Sequence, residues 1–333
     1  MKPVIYGLAG LELTPDERAF FKDADPAGYI LFRRNCEDRA QLRALTDALR
    51  DLHGRDLLIM IDQEGGRVAR MQPPEWPAFP AGAMFDALYD KAPISAIEAA
   101  RANGEAIGLT LSEAGITVDA LPLLDVRQEG ADAVIGDRAL GAEPMRVAAL
   151  GRAVLEGLQA GGVTGIVKHM PGHGRVLVDS HKALPVVEAT EQELETDLAP
   201  FRQLAWAPIG MTAHIVYTAW DAARPGTLSH YVVQRIIRER IGFDGLLMTD
   251  DIDMKALSGT PAEKACGAIE AGVDLVLDCW ARMDEMVAIA DALPEARERT
   301  RERLEKALAF RKAPDPTRLA DLFAKRDDLL ALS

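Results

Sequence analysis

A closed (β/α)₈ barrel, a TIM-type α/β fold in one domain, is what this sequence predicts. Three observations carry the prediction. Eight short apolar runs recur along the 333 residues, each followed by a helical stretch. No shift in composition divides the chain. Ionisable residues stand at the ends of the runs, where a barrel builds its site at the C-terminal mouth of the strands. A doubly wound sheet is the competing fold. It calls for Gly-x-Gly-x-x-Gly after an early strand, and Gly7-Leu8-Ala9-Gly10 does not fit that pattern.

The elements follow in order. Val4–Leu8 reads as the first strand. A short helix, Asp16–Lys22, is entered at Thr14-Pro15, a capping residue followed by proline at the first helical position. Gly28–Phe32 is the second strand and ends at Arg33-Arg34-Asn35. Arg39–Leu52 is an amphipathic helix, with Leu42, Leu45, Leu49 and Leu52 on one stripe. The third strand, Leu57–Ile61, runs into Asp62-Gln63-Glu64-Gly65-Gly66-Arg67-Val68-Ala69-Arg70, and a Pro-rich loop covers Gln72–Ala81. A long helix, Ile94–Ala114, precedes the fourth strand, Ile116–Leu121, which leads to Asp125.

Helix Glu143–Ala160 is stopped by Gly161-Gly162. The fifth strand, Gly165–Val167, ends on Lys168 and His169. Helix Glu191–Leu204, strand Ile209–Ala213 with His214 at its end, and helix His230–Ile241 come next. Strand Gly245–Thr249 ends on Asp250-Asp251, and helix Ala262–Ala271 and strand Val273–Leu277 complete the alternation. The tail, Glu295–Lys312 and Thr317–Leu330, reads as exposed charged helices that belong to the same domain.

Composition narrows the function. A net charge of −14 argues against a nucleic-acid or anionic-membrane partner. No apolar stretch approaches the ~20 residues of a membrane-spanning helix. The N-terminus enters a strand directly, without the h-region of a signal peptide. Three scattered cysteines, Cys36, Cys266 and Cys279, form no disulfide framework and fit a reducing cytoplasm. A cytoplasmic, monomeric protein without a cofactor is expected.

The stretch from Gly165 to His181 concentrates the chemistry, holding three of the six histidines together with Lys168 and Asp179. Pro171, Gly172 and Gly174 force a turn after the strand. Asp179 and His181 are two apart and lie on one side of an extended segment. A carboxylate there orients the imidazole for proton transfer. Lys168 and His169 alternate faces at the strand end. Only one of Asp250 and Asp251 is expected to point readily into the mouth, since adjacent strand residues face opposite ways. That carboxylate is a candidate nucleophile, base or metal ligand. His169 and His173 have the i, i+4 spacing of a zinc helix, but Pro171 and Gly172 between them rule out a regular helix, so no metal site is expected. Glu64 and Arg67 read equally as braces of a tight turn or as ligand contacts.

Taken together, Lys168-His169-Met170-Pro171-Gly172-His173-Gly174, Asp179-Ser180-His181 and Thr249-Asp250-Asp251-Ile252-Asp253-Met254 resemble the bacterial β-N-acetylhexosaminidases of glycoside hydrolase family 3. The run Asp62–Arg70 and Ile135-Gly136-Asp137-Arg138 match as well, and the resemblance spans Val4 to Leu277 in order. It implies that Asp250 is the catalytic nucleophile and His181 the acid/base, paired with Asp179. It further implies that Asp62, Arg70, Arg138, Lys168 and His169 bind an N-acetylglucosamine ring. The implied substrates are N-acetylglucosaminyl-anhydromuropeptides of cytoplasmic cell-wall recycling. Asp278-Cys279-Trp280 departs from the family's apolar-Cys-Asn pattern. Phosphorolysis, β-glucosidase action, substrate-assisted hydrolysis and a non-catalytic sugar-binding barrel are the alternatives on the same fold.

Overall fold

The computed structural model describes residues 1–130, 134–176 and 184–332. Eight parallel strands close into a barrel: β1 Lys2–Gly7, β2 Pro26–Leu31, β3 Leu58–Ile61, β4 Val118–Asp119, β5 Thr164–Met170, β6 Ile209–Thr212, β7 Leu246–Asp251 and β8 Leu275–Asp278. Neighbours in sequence are neighbours in the barrel, and β1 closes on β8 through Val4↔Val276 and Ile5↔Leu277. This is the (β/α)₈ architecture the strand–helix alternation predicts.

Around it lie α1 Pro15–Ala24, α2 Arg39–His53, α3 Gly82–Lys91, α4 Pro93–Glu113, α5 Pro144–Ala160, α6 Glu191–Gln203, a π-helix Val232–Ile241, and α7 Pro261–Ala271. Thr14, Thr190 and Thr260 each cap a helix, with a glutamate three residues on closing the capping box. α4 and α5 approach closely because glycines face each other: a Cβ on Gly157 would sit 2.3 Å from the Arg101 carbonyl oxygen. Among the described residues no helix is long and apolar enough to cross a membrane.

The sequence leaves two helices unassigned. α3 has no side-chain cap and starts on glycine, and α8, Met283–Ala292, likewise has no side-chain cap. The strand expected over 116–121 keeps regular geometry only at Val118–Asp119. Pro122 has no N–H for the ladder, yet the Leu121 and Pro122 carbonyls still accept from Ile166 and Lys168, at 2.6 and 3.2 Å. That irregular continuation carries Asp125 alongside His169.

The tail differs from the exposed helices its charge pattern suggests. In α9, Glu298–Ala309, Leu304 and Ala307 are buried in the same cluster as Ile5, Met60, Ile166 and Met248 of the barrel interior. They seal the floor, and Thr164 Oγ1 donates to the Ala307 carbonyl at 2.8 Å. α10, Leu319–Leu330, lies against α4, with Lys325 on Glu98 at 2.8 Å and Arg318 on Glu105. Leu322 and Leu330 of the helix are buried.

Strand alternation then fixes the mouth. Ile30, Met60, Ile166, Met248 and Leu277 face the barrel interior. Two residues on, the same faces present Phe32, Asp62, Lys168, Asp250 and Cys279. An apolar layer therefore sits directly beneath a polar one.

Candidate active site

A cleft of about 470 Å³ opens at the C-terminal end of the barrel. It is lined by Asp62, Arg70, Arg138, Lys168, His169 and Asp250 from the sequence-derived set, together with Glu64, Asp251, Phe32, Arg34 and Trp280. Asp179 and His181 lie outside the described residues.

On one arc the charges are paired. Glu64, its side chain 3% exposed, accepts from Lys168 Nζ at 2.6 Å. Arg138 adds a two-pronged contact through Nε and Nη2, both at 2.7 Å. Burial alone would raise the Glu64 pKa, but the Lys168 and Arg138 cations outweigh it and hold the carboxyl at about 2. Arg138 is held above its ordinary value by Glu64 despite its own burial. Next to this triad Arg70 Nη2 donates to Asp62 Oδ2 at 2.7 Å, and Lys168 Nζ lies 3.7 Å from Asp62 Oδ1. Gln63 braces the loop: its Oε1 accepts from the Arg70 and Met71 amides, at 3.0 Å each, and its Nε2 donates to the Met71 carbonyl.

His169 sits between two carboxylates. Asp125 Oδ2 is 2.8 Å from its Nδ1, and Asp250 Oδ2 is 4.0 Å from its Nε2. Asp125 Oδ1 also accepts from the His169 and His173 amides, at 3.1 and 2.7 Å. Burial disfavours the charge on Asp125, but the two imidazoles and these amides bring its pKa down to about 2. An ionised carboxylate only accepts, so Nδ1 carries the proton and Nε2 is turned toward Asp250. Lys168 and His169, expected on opposite faces, both line the cleft. His173 is buried beside His169, ring centroids 5.4 Å apart, and burial lowers its pKa to about 4, with the His169 charge adding to the effect.

Asp250 stands apart from the cations. Its side chain is 23% exposed, and Oδ1 accepts from the Asp251 amide at 2.8 Å. Burial opposes its ionisation, yet the nearby imidazoles of His169 and His214 hold it below the usual carboxylate range. His214 is fixed in turn. Its Nε2 faces the Asp251 carbonyl at 3.0 Å and must donate, while Nδ1 lies 2.7 Å from Thr227 Oγ1. Burial lowers the pKa of this imidazole, and Thr227 Oγ1 in turn donates to the Ala213 carbonyl at 3.1 Å and lies 2.8 Å from Thr212 Oγ1.

Asp251, which alternation would turn away, also reaches the cleft. Its Oδ2 accepts from Trp280 Nε1 at 3.1 Å and its Oδ1 from the Asp253 amide. Burial and the neighbouring Asp250 charge push its pKa up to about 6.

Glu64, Asp125 and His214 complete the site around the sequence-derived residues. All three stand in or after strand ends in the sequence, but their partners are 104, 44 and 13 residues away. Among the described residues no group of three or more His, Cys, Asp or Glu side chains is placed to hold a metal ion. Along the wall opposite Asp250 the lining is charge-compensated: Asp62 and Glu64 face Arg70, Arg138 and Lys168. Such a surface offers donors and acceptors in a fixed array and suits an uncharged polyhydroxylated ligand.

A barrel mouth with an ionised, accessible carboxylate at the end of its seventh strand and a paired polar wall opposite defines a glycoside-hydrolase type of site. Comparison with known proteins gives the family. Residues 7–309 match the glycosyl hydrolase family 3 N-terminal domain. The chain is 38% identical to the β-hexosaminidase of Chromobacterium violaceum over 322 residues, covering 95% of this chain and 89% of that one. It is equally 38% identical to the β-hexosaminidase of Bordetella avium over 282 residues, 83% of this chain and 80% of that one. Among solved structures, NagZ from Neisseria gonorrhoeae in complex with N-trifluoroacetyl-D-glucosamine superposes with a TM-score of 0.89 at 32% identity, covering 99% of this chain and 98% of that one. The protein belongs to glycosyl hydrolase family 3, and within it to the β-hexosaminidase group.

Proposed function

We propose that the protein is a retaining exo-β-N-acetylglucosaminidase that removes terminal β-linked N-acetylglucosamine from peptidoglycan fragments. The observation that carries this reading is the state of Asp250. It is ionised, reachable from the cleft and paired to no lysine or arginine among the described residues, so its electron pair remains available for attack. Asp250 forms an ester bond to the anomeric carbon as the glycosidic C–O bond breaks, and the departing oxygen takes a proton from His181. A water then returns a proton to His181, its oxygen bonds to the anomeric carbon, and the Asp250 ester is released with net retention. Asp179 holds the His181 imidazole in orientation. The common template uses two carboxylates, and an imidazole in place of one does not repel an anionic leaving group. Asp62, Arg70, Arg138, Lys168 and His169 take the hydroxyl and acetamido groups of the sugar. Anhydromuropeptides of cytoplasmic cell-wall recycling are the substrates, and the enzyme acts as a monomer without a cofactor.

A fluorinated N-acetylglucosamine analogue with a good leaving group tests the mechanism. Mass spectrometry of a digest is expected to find the sugar esterified to Asp250. Rapid turnover of a chromogenic N-acetylglucosaminide with no adduct on Asp250 would replace the nucleophile with the substrate's own acetamido oxygen. Release of sugar 1-phosphate on addition of phosphate would replace water as the acceptor.

A further inference from the structure

We propose that Trp280 is a stacking platform for the sugar ring on the leaving-group side of the scissile bond, a subsite that selects substrates with a pyranose aglycone. The inference rests on the exo-glycosidase reading above. Trp280 follows β8 and lines the cleft beside Asp251, on the side of Asp250 away from the Lys168–Glu64–Arg138 triad. The paired polar wall on that far side suits the terminal sugar, so the departing ring leaves past the β7–β8 rim.

Trp280 is 55% exposed, a large apolar ring kept in water at the edge of a charged cleft. It is also held in place. Its indole N–H donates to Asp251 Oδ2 at 3.1 Å. The Arg282 guanidinium lies 5.9 Å from the ring centroid and is itself tied to Asp253 at 2.7 Å and Glu285 at 2.8 Å. The turn that presents the ring places Ala281 at φ 53°, in the left-handed region that residues with a Cβ rarely occupy. A preorganised aromatic face of this kind meets the apolar C–H face of a pyranose without losing rotamer freedom on binding.

The test compares two substrates in the full-length protein: N-acetyl-β-D-glucosaminyl fluoride, which has no aglycone ring, and N,N′-diacetylchitobiose, which has one. Trp280→Ala is expected to lower the ratio of kcat/KM for chitobiose to that for the fluoride about tenfold, and Trp280→Phe to restore most of it. An unchanged ratio overturns the proposal. So does a Trp280→Phe variant as poor as Trp280→Ala, which would give the effect to the indole N–H on Asp251. Binding keeps the two readings separable. In Asp250→Asn, calorimetry is expected to show chitobiose binding more tightly than N-acetylglucosamine, with the gap erased by adding Trp280→Ala. Such binding in a wild-type protein that hydrolyses neither compound would defeat the enzymatic reading and leave the platform standing, whereas equal affinities for the two sugars in Asp250→Asn would remove the platform.

Discussion

Along the β3–β5 arc of the cleft, Glu64 takes Lys168 and both prongs of Arg138, and Asp62 takes Arg70. Along the β7–β8 arc, Asp250 has no lysine or arginine among its described partners, Asp251 has an indole and a backbone amide, and Asp278 Oδ2 accepts no hydrogen bond among the described residues. One arc neutralises its charges internally and becomes a rigid wall of donors and acceptors. The other leaves carboxyl groups uncompensated, so that their protonation and nucleophilicity respond to what enters. Stability is expected to reside in the first arc and chemistry in the second, and substitutions can separate the two.

The largest effect is expected at Asp250. Asp250→Ala removes the attacking oxygen, and kcat on a chromogenic N-acetylglucosaminide should fall about 10⁴-fold or more. Because the side chain is part-exposed and, among the described residues, accepts a hydrogen bond only from the adjacent amide, the melting temperature should stay close to wild type. Near-normal turnover would remove Asp250 from the chemistry. A large loss of stability would show that the β7–β8 arc is structural after all.

Glu64→Gln should give the reverse pattern. It strands the buried Lys168 and Arg138 cations, which costs about 3–5 kcal/mol in stability. The sign with pH follows from the depressed pKa of Glu64. Its contribution is fully present above the ordinary value of 4.5 and is lost as pH falls through about 2. Denaturant titrations of both proteins should therefore diverge at neutral pH and converge under acid. Parallel curves over that range would mean that the triad contributes no net stability.

These contrasts also mark what the sequence reveals. Period-two alternation is local, so Asp62, Lys168 and Asp250 can be placed at one mouth from the run of apolar residues beneath each. Pairing is not local. Glu64 meets Arg138 across 74 residues and Lys168 across 104, and nothing in the spacing names either partner. Strict alternation admits only one of Asp250 and Asp251 to the mouth, but the register of β7 against β8 shifts between Met248 and Asp251, and both line the cleft. The tail misleads for a related reason. Its charged residues dominate the pattern, while Leu304, Ala307 and the partly buried Leu308 of α9 pack on the barrel floor. Asp179 and His181 lie outside the described residues, and only the motif they share with the family points to them.

A smaller effect is expected at Asp278, and it tests the uncompensated arc from beneath. Burial first, and the Asp251 charge second, raise its pKa to about 7, against 3.8 for an ordinary aspartate. Between those two values the folded protein binds more protons than the unfolded chain, so this group makes stability fall as pH rises from about 3.8 to 7. The penalty is absent at low pH and complete above neutrality. Asp278→Asn keeps the shape and removes the titration. Relative to wild type, the variant should gain about 1–3 kcal/mol between pH 5 and pH 8, less than the full shift because part of the penalty is already present at pH 5. Calorimetric melting at the two pH values measures the difference. Coincident shifts in both proteins would place the raised carboxyl elsewhere and dissolve the contrast between a neutralised arc and a responsive one.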